Sequence, residues 1–582
     1  MIILGLNAHH ADASASILLD GKLLAAIEED RFTRIKHYAG LPINALRYCL
    51  NEAGLSLNDI DHLALSSDPN AKFKERMTFL VKSPSQLQKN IFYDNFINSK
   101  HLKAIDKVLM AHFKCPNPNF KIHNIEHQRC HLASAYYPSP FHEAALLTLD
   151  CFGDFSTAMS GIGRGNNIEV LDSINFPNSI GIFYSALTQF LGFMHYGQEY
   201  KVMSLAPYGK PIYKDLLTKV IYPTNDGWFK LDTHYLRSPH EGYVTYSDTF
   251  QPVIPLLYNN NLIELLGSNR IPSEDVTQFH KDIAASVQAV TEGVIFHIIT
   301  ELYHKTKIDI LCLAGGVAEN SVANGKIIAN TPMKHLYIPI AGHDAGISMG
   351  AAYYANHQLL GGERQSPIFS AYTGPSFTNE EIQAVLKKNE VKYQVLDNTD
   401  IYEIVSEKLI EGGVVGWFTG RAEFGARALG GRSILMDPRR ADAKEILNNK
   451  IKRRASFIPF APSILSEYVS EYFEINDDVP FMGKVLPIKK EKQALIPAIT
   501  HVDGTGTLQT VDANISPRYY NLINKFREKT GIPILLNISF NENEPIVNTP
   551  QEALDCYLRT SMDMLVLENC VIQRNCENEN QS

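Results

Sequence analysis

The sequence predicts an α/β protein built from two units, and three observations carry that reading. Short apolar runs alternate with helical patterns along both halves of the chain, as layered strands and helices require. The chain has 582 residues, too many for one hydrophobic core. Around 360–376 it becomes rich in Gly, Pro and Ser, which suits a linker between residues 1–365 and 366–582.

The elements follow in order. Residues 2–6 are apolar and β-prone, Ser14 to Leu19 is a second such run, and Asp20-Gly21 separates it from a third, Leu23 to Ile27. Asp-Gly between apolar runs marks a hairpin, so the chain opens as an antiparallel meander. A helix is expected near 43–54, a strand at Ile60–Ser66, and an exposed helical insertion over 70–115. A strand over 144–149 runs into Asp150 and the turn Gly153-Asp154. Apolar residues at Ile283, Val287, Val290, Val294, Ile298 and Leu302 keep helical spacing and predict one long helix over 280–304. The strand Ile308–Leu313 then enters Ala314-Gly315-Gly316, and another helix begins near Gly346. The second unit carries a strand at Val414–Phe418, a basic segment over 421–454 and a strand at Ile534–Leu536. No internal repeat is legible, and the polar tail after Arg574 is expected to fray.

Composition narrows the function. A net charge of −9 argues against a broad nucleic-acid surface. Eight irregularly spaced cysteines with no CxxC pair argue against a disulfide framework or a cysteine zinc site. The start Met-Ile-Ile-Leu-Gly-Leu-Asn looks like a strand, not a signal peptide, and no run approaches 18 apolar residues. A cytoplasmic protein with no membrane partner is expected.

Three groups of residues invite chemistry. His127 and His131 form an HxxxH pair; on a helix both imidazoles share a face and chelate a divalent ion. With Asp150 at a strand end and Asp344 before a helix they make a mixed N/O set suited to Fe²⁺, Mn²⁺ or Zn²⁺. The competing reading is two surface or capping histidines. The second group is a pair of glycine turns, Gly153-Asp154 and Gly315-Gly316 with Asn320, of the kind that lets backbone N–H groups approach phosphates. Such turns also occur in many α/β folds for structural reasons. Between them Glu199 and Lys201 lie among aromatics; Lys201 either holds a phosphate or carbonyl oxygen or sits in a solvated salt pair. The third group is basic and glycine-rich: Arg421, Arg427, Arg432, Ser433, Lys450 and Arg453, with Arg518, Asn537, Ser539 and Asn541 further on. Guanidinium forks among glycines suit a phosphorylated small molecule; the plain alternative is surface Arg–Glu pairs.

Together these motifs, with Glu28-Glu29-Asp-Arg31-Phe-Thr-Arg34-Ile-Lys36-His37 and Glu199-Tyr-Lys-Val-Met-Ser-Leu-Ala-Pro-Tyr-Gly209, resemble the NodU/CmcH family of O-carbamoyltransferases over nearly the whole chain. The resemblance implies an N-terminal domain of the actin/sugar-kinase/Hsp70 type (ASKHA) and a YrdC-like second domain. It implies that ATP, with Mg²⁺, and carbamoyl phosphate form carbamoyl-adenylate on the second domain through Arg421, Arg427, Arg432, Ser433, Lys450, Arg453, Arg518, Asn537, Ser539 and Asn541. The first domain would bind that adenylate through Gly153, Asp154, Glu199, Gly315, Gly316 and Asn320. There, an iron-type metal on His127, His131, Asp150 and Asp344, with Lys201, would assist transfer to a hydroxyl of a small-molecule acceptor. No nucleic acid is expected, and a homodimer is an admissible assembly; the alternatives are a threonylcarbamoyl-type tRNA-modifying enzyme, which uses the same two folds but would need a basic RNA surface, and a non-catalytic nucleotide-binding protein. The family's first turn often reads His-Asp; here Asp12 matches, Ala11 takes the His position and His10 precedes it, so His10 and Asp12 are the expected catalytic pair.

Overall fold

The structure, a computed structural model, describes residues 1–81, 102, 104–116 and 118–574. Residues 82–101 and 103 of the insertion expected over 70–115, and the tail after Arg574, lie outside the described residues; helices Phe73–Val81 and Ile105–Phe113 fall in its described part. Two compact units divide the chain, Met1–Ile368 and Phe369–Ser582, with the division three residues beyond the expected 365/366.

In the first unit the opening meander is Ile2–Asn7 (β1), Ser14–Leu19 (β2) and Lys22–Glu28 (β3), joined by His62–Leu65 (β4) and Lys121–Asn124 (β5) in the order β3-β2-β1-β4-β5. A second sheet contains Glu143–Gly153 (β6), Ser156–Arg164 (β7), Asn167–Asn175 (β8), Ile310–Ala314 (β9) and His335–Tyr337 (β10), in the order β10-β9-β6-β7-β8. Each sheet has three antiparallel strands followed by two strands parallel to the first. The strand order is therefore repeated, a duplication that the sequence does not display. The first hairpin of each sheet holds an aspartate in left-handed backbone, Asp12 (φ 55°) and Asp154 (φ 48°).

The long helix spans Gln278–Thr306, and all six of its expected apolar positions are buried. By length and composition alone it is apolar enough to cross a membrane, although polar residues interrupt it. Its 18-residue apolar window is 72% buried inside this unit, where it serves as a core helix. The segment after the first unit's last helix is no loose linker. The Arg364 guanidinium donates to the carbonyls of Tyr136, Tyr137, Ser139 and Phe141, pinning the chain to the end of the HxxxH helix.

The second unit is one nine-stranded mixed sheet around a core that includes Trp417, Phe418, Ile434, Leu435, Leu535 and Leu536. Its central strands are Val415–Phe418, Arg432–Met436, Ile534–Ser539 and Ala461–Leu465. Both units are mixed α/β.

A single buried side chain ties the site-bearing turns of the first unit together. Asn7, at the end of β1, donates from Nδ2 to the carbonyls of Ala11, Asp12 and Asp344, at 3.0, 3.1 and 3.1 Å. Replacing it leaves buried carbonyls without a donor. Asn7→Ala should destabilise the first unit by about 2–4 kcal/mol, read as an earlier denaturant midpoint for that unit's transition.

Candidate metal centre and active site

Helix α1, His127–Tyr136, carries the HxxxH pair at its first turn. Its N-cap residue Glu126 makes no side-chain cap. The cap comes from elsewhere: Asp154 Oδ2 accepts the His127 N–H at 2.9 Å and the Asp68 N–H at 2.8 Å, while Oδ1 accepts from Ser67 Oγ at 2.6 Å. A carboxylate there also favours the positive end of the helix. Asp154, expected to face a nucleotide, is thus employed in holding the histidine helix. Gly153 acts alongside it, because a Cβ there would lie 2.1 Å from the His127 ring. It leaves room for an imidazole.

Asp150 follows Leu149, where the pairing of β6 with β7 shifts register. Such an irregularity re-aims a side chain. Its Oδ1 accepts the Gly316 N–H at 3.0 Å, so the second glycine turn holds this carboxylate. Its Oδ2 faces His127 Nε2 at 3.1 Å and His131 Nε2 at 3.7 Å. Asp344, just before the helix Ile347–Tyr353, places Oδ1 3.4 Å from His127 Nε2 and 3.2 Å from His131 Nε2. The two Nε2 atoms are 3.2 Å apart. All four residues are buried, and one donor atom from each lies within 4.8 Å of the others.

These separations fit a shared cation. Donors about 2.1 Å from one ion at tetrahedral to right angles lie about 3.0–3.4 Å apart. The charges fit as well. Burial opposes ionisation of Asp344, yet His10, His127 and His131 hold its carboxyl well below the usual range. Burial likewise opposes a charge on His127, but its hydrogen bonds with Asp150 and Asp344 raise it to about 10. His131 is pushed down, chiefly by burial. The pocket is therefore arranged around a positive charge, and its N/O donor set suits a divalent metal.

The other expected residues of this unit are placed as follows. His10 Nδ1 lies 3.1 Å from Asp344 Oδ2, and its ring tilts against His127 with centroids 4.9 Å apart. Asp12 pairs with His37, Oδ1 to Nδ1 at 2.8 Å. Asn320 caps the helix Ser321–Asn330 through Ala323 N–H and exchanges amide hydrogen bonds with Gln288. Glu199 accepts from Ser185 Oγ. Lys201 Nζ lies over the Phe193 ring at 5.2 Å, and burial followed by Arg270 and Lys36 lowers its pKa. No contact joins it to the four-donor cluster among the described residues.

In the second unit the expected arginines have the following partners. Arg432 is fully buried and gives its guanidinium to the carbonyls of Pro375, Thr419, Gly420 and Gly431, over the Phe418 ring. Arg421 donates to the carbonyls of Thr373 and Gly374. The anion inside this loop is Glu423, whose Oε1 accepts the N–H groups of Leu429, Gly431 and Arg432. Arg453 pairs with Glu542 and Arg518 with Glu568. Carbonyls and carboxylates of the same unit engage all four of these arginines. Ser433 accepts from the Gly430 N–H, and Asn537 donates to Ala428, Ser463 and Gln509. Arg427 is half-buried, and the Lys450 side chain lies outside the described residues.

Ser539 and Asn541 do come together, around a residue the sequence reading passed over. Lys452 is buried; its Nζ donates to Ser539 O at 2.6 Å, Ser539 Oγ at 3.2 Å and Asn541 O at 2.7 Å, and also meets Asn541 Oδ1. A buried ammonium beside a hydroxyl and an amide is a polar focus of the second unit. The only signal in sequence was its place in the basic run 450–454.

Comparison with known proteins decides what kind of chemistry these sites serve. Residues 2–353 match the family description "Carbamoyltransferase N-terminus" and residues 406–574 match "Carbamoyltransferase C-terminus". The chain belongs to the carbamoyltransferase family. It is 40% identical to uncharacterized protein sll1178 of Synechocystis, covering 99% of this chain and 97% of that one. It is 35% identical to nodulation protein NolNO of Sinorhizobium fredii over 98% of this chain and 80% of the relative, and 26% identical to nodulation protein U of Rhizobium tropici over 93% and 91%. The solved structure of HypF from T. kodakarensis is more distant, at 13% identity and a TM-score of 0.32, covering 62% of this chain and 48% of that one. The resemblance drawn from the motifs holds: this carbamoyltransferase is an enzyme that moves a carbamoyl group.

Binding of Mn²⁺ to this carbamoyltransferase, followed by calorimetry, should show about one ion per chain and release about one proton at neutral pH, since without an ion His127 keeps its proton up to about 10. Asp150→Asn should weaken binding at least about 100-fold, and Gly153→Ala about tenfold by displacing the His127 ring.

Proposed function

We propose that this carbamoyltransferase works in two half-reactions. In the second unit, read as YrdC-like, water releases phosphate from carbamoyl phosphate. The resulting carbamate oxygen attacks the α-phosphorus of ATP and expels pyrophosphate. In the first unit a hydroxyl of a small-molecule acceptor attacks the carbamoyl carbon of the adenylate, AMP leaves, and an O-carbamate forms.

The observation that carries this reading is the buried cluster of His127, His131, Asp150 and Asp344 in a chain whose two halves both match carbamoyltransferases. The repeated sheet order of the first unit supports an ASKHA-type domain, whose two hairpin turns hold Asp12 and Asp154. A divalent metal held by the four side chains would supply positive charge to the leaving phosphate or the carbonyl oxygen. The protein's own groups do the rest: Gly316 and Asp154 fix the ligands, and His10 orients Asp344. In the second unit the buried Lys452 ammonium holds Ser539 and Asn541 in place, the two residues expected at an anionic carbamoyl donor.

Incubation with ATP and carbamoyl phosphate should yield pyrophosphate and AMP. Lys452→Met, with an unchanged melting profile, should lower pyrophosphate release about 100-fold or more, whereas His127→Ala should keep pyrophosphate formation and lose the O-carbamate. Formation of ADP, or loss of the same step in both variants, contradicts the scheme.

A further inference from the structure

We propose that His37, oriented by Asp12, is the base that accepts the acceptor's hydroxyl proton during carbamoyl transfer. This assignment rests on the two-step reading above and names a residue that the sequence reading passed over.

The expected base, His10, stands against the four-donor cluster instead. Its Nδ1 faces Asp344 Oδ2 and its ring lies against His127, so it serves a carboxylate of the metal cluster. Ala11, at the usual histidine position, has no proton to move. His37 has what a base needs. Its Nδ1 lies 2.8 Å from Asp12 Oδ1, which fixes the proton on Nδ1 and leaves the Nε2 lone pair for a substrate. Nε2 has no hydrogen-bond partner among the described residues. It lies against Gly197, where a Cβ would come within 2.4 Å, and Gly197 also has a left-handed φ of 77°. The His37 side chain is 28% exposed, enough for a solute to reach, while Asp12 behind it is 11% exposed.

The dyad is held on purpose-built backbone. Asp12 and His37 both adopt positive φ, 55° and 57°, a conformation that costs about 1 kcal/mol or more for each residue. Two backbone hydrogen bonds, His9 N–H to Gly40 O and Ala13 N–H to Tyr38 O, lay the segments side by side. The dyad also lies next to the metal cluster. One Asn7 amide nitrogen bonds to the carbonyls of both Asp12 and Asp344. Tyr196, edge-on to His37 with centroids 5.0 Å apart, has its hydroxyl raised well above the ordinary value by burial, then by Asp12, Asp344, Cys151 and Asp150.

The step balances. The acceptor oxygen bonds to the carbamoyl carbon, the bond from that carbon to the phosphate oxygen breaks, AMP leaves with the electron pair, and the hydroxyl proton passes to His37 Nε2. Asp12 stabilises the imidazolium until solvent takes the proton. The charged groups facing His37 are Asp12, Asp30 and Lys36, and burial opposes its charge; His343 and Asp344 face Asp12. The net effect raises His37, so transfer should speed up as pH rises through its titration.

The test uses the full chain with ATP, carbamoyl phosphate and two probe nucleophiles. Methanol must lose a proton to react well, and hydroxylamine reacts without a base. His37→Gln should lower methyl carbamate formation about 100- to 10,000-fold, while pyrophosphate release, hydroxyurea formation and Mn²⁺ affinity stay at wild-type levels. Asp12→Asn should move the rising limb of the methanol rate–pH profile to lower pH. Methyl carbamate formed by His37→Gln at the wild-type rate, or lost in parallel with hydroxyurea, overturns the assignment alone. A wild-type chain that makes no pyrophosphate overturns the two-step reading and the assignment with it.

Discussion

Two carboxylates buried beside two imidazoles around one point are the constraint on which the first unit depends. Burying an ionised carboxylate is costly unless charge and hydrogen bonds compensate it, and here two are brought within reach of the same donors. The surroundings are organised to keep them there. Asp150 is held from behind by the Gly316 N–H, Asp344 is flanked by His10, and the histidine helix is capped at one end by Asp154 and at the other by Arg364. Each support comes from a distant part of the chain, so the centre reports on the fold of the entire unit.

The repeated sheet order explains how such distant segments converge. Each sheet opens with a hairpin whose turn bears an aspartate in left-handed backbone. In one, Asp12 orients an imidazole; in the other, Asp154 caps a helix that carries two. The same device thus serves two structural roles in one unit. The second unit follows another logic. Its arginines brace a loop through carbonyls and carboxylates, and a buried lysine provides the concentrated charge.

Much of the fold was legible in the sequence. The Asp20-Gly21 hairpin, the apolar spacing from Ile283 to Leu302, the strand leading into Asp150 and the strand ending at Ala314 each followed from local patterns. The convergence of the four donors was also legible, because HxxxH and two aspartates near element ends form a recognisable donor set. What local pattern cannot show is which partner a charge finds. The carbonyls that Arg421 and Arg432 reach, and the imidazole ring that Gly153 makes room for, lie beside them only once the chain has folded. Lys452 was hidden among neighbouring basic residues, and His37 in a motif whose consequence depends on a hydrogen bond to Asp12. The duplication escaped notice because strand order survives when sequence similarity does not.

The central claim is that one divalent ion is shared by all four buried side chains. Anomalous diffraction from crystals grown with Mn²⁺ measures this most directly. A single anomalous peak bonded to His127, His131, Asp150 and Asp344 is the result expected. A peak elsewhere in the first unit, or none while the four donors keep their positions, would contradict it.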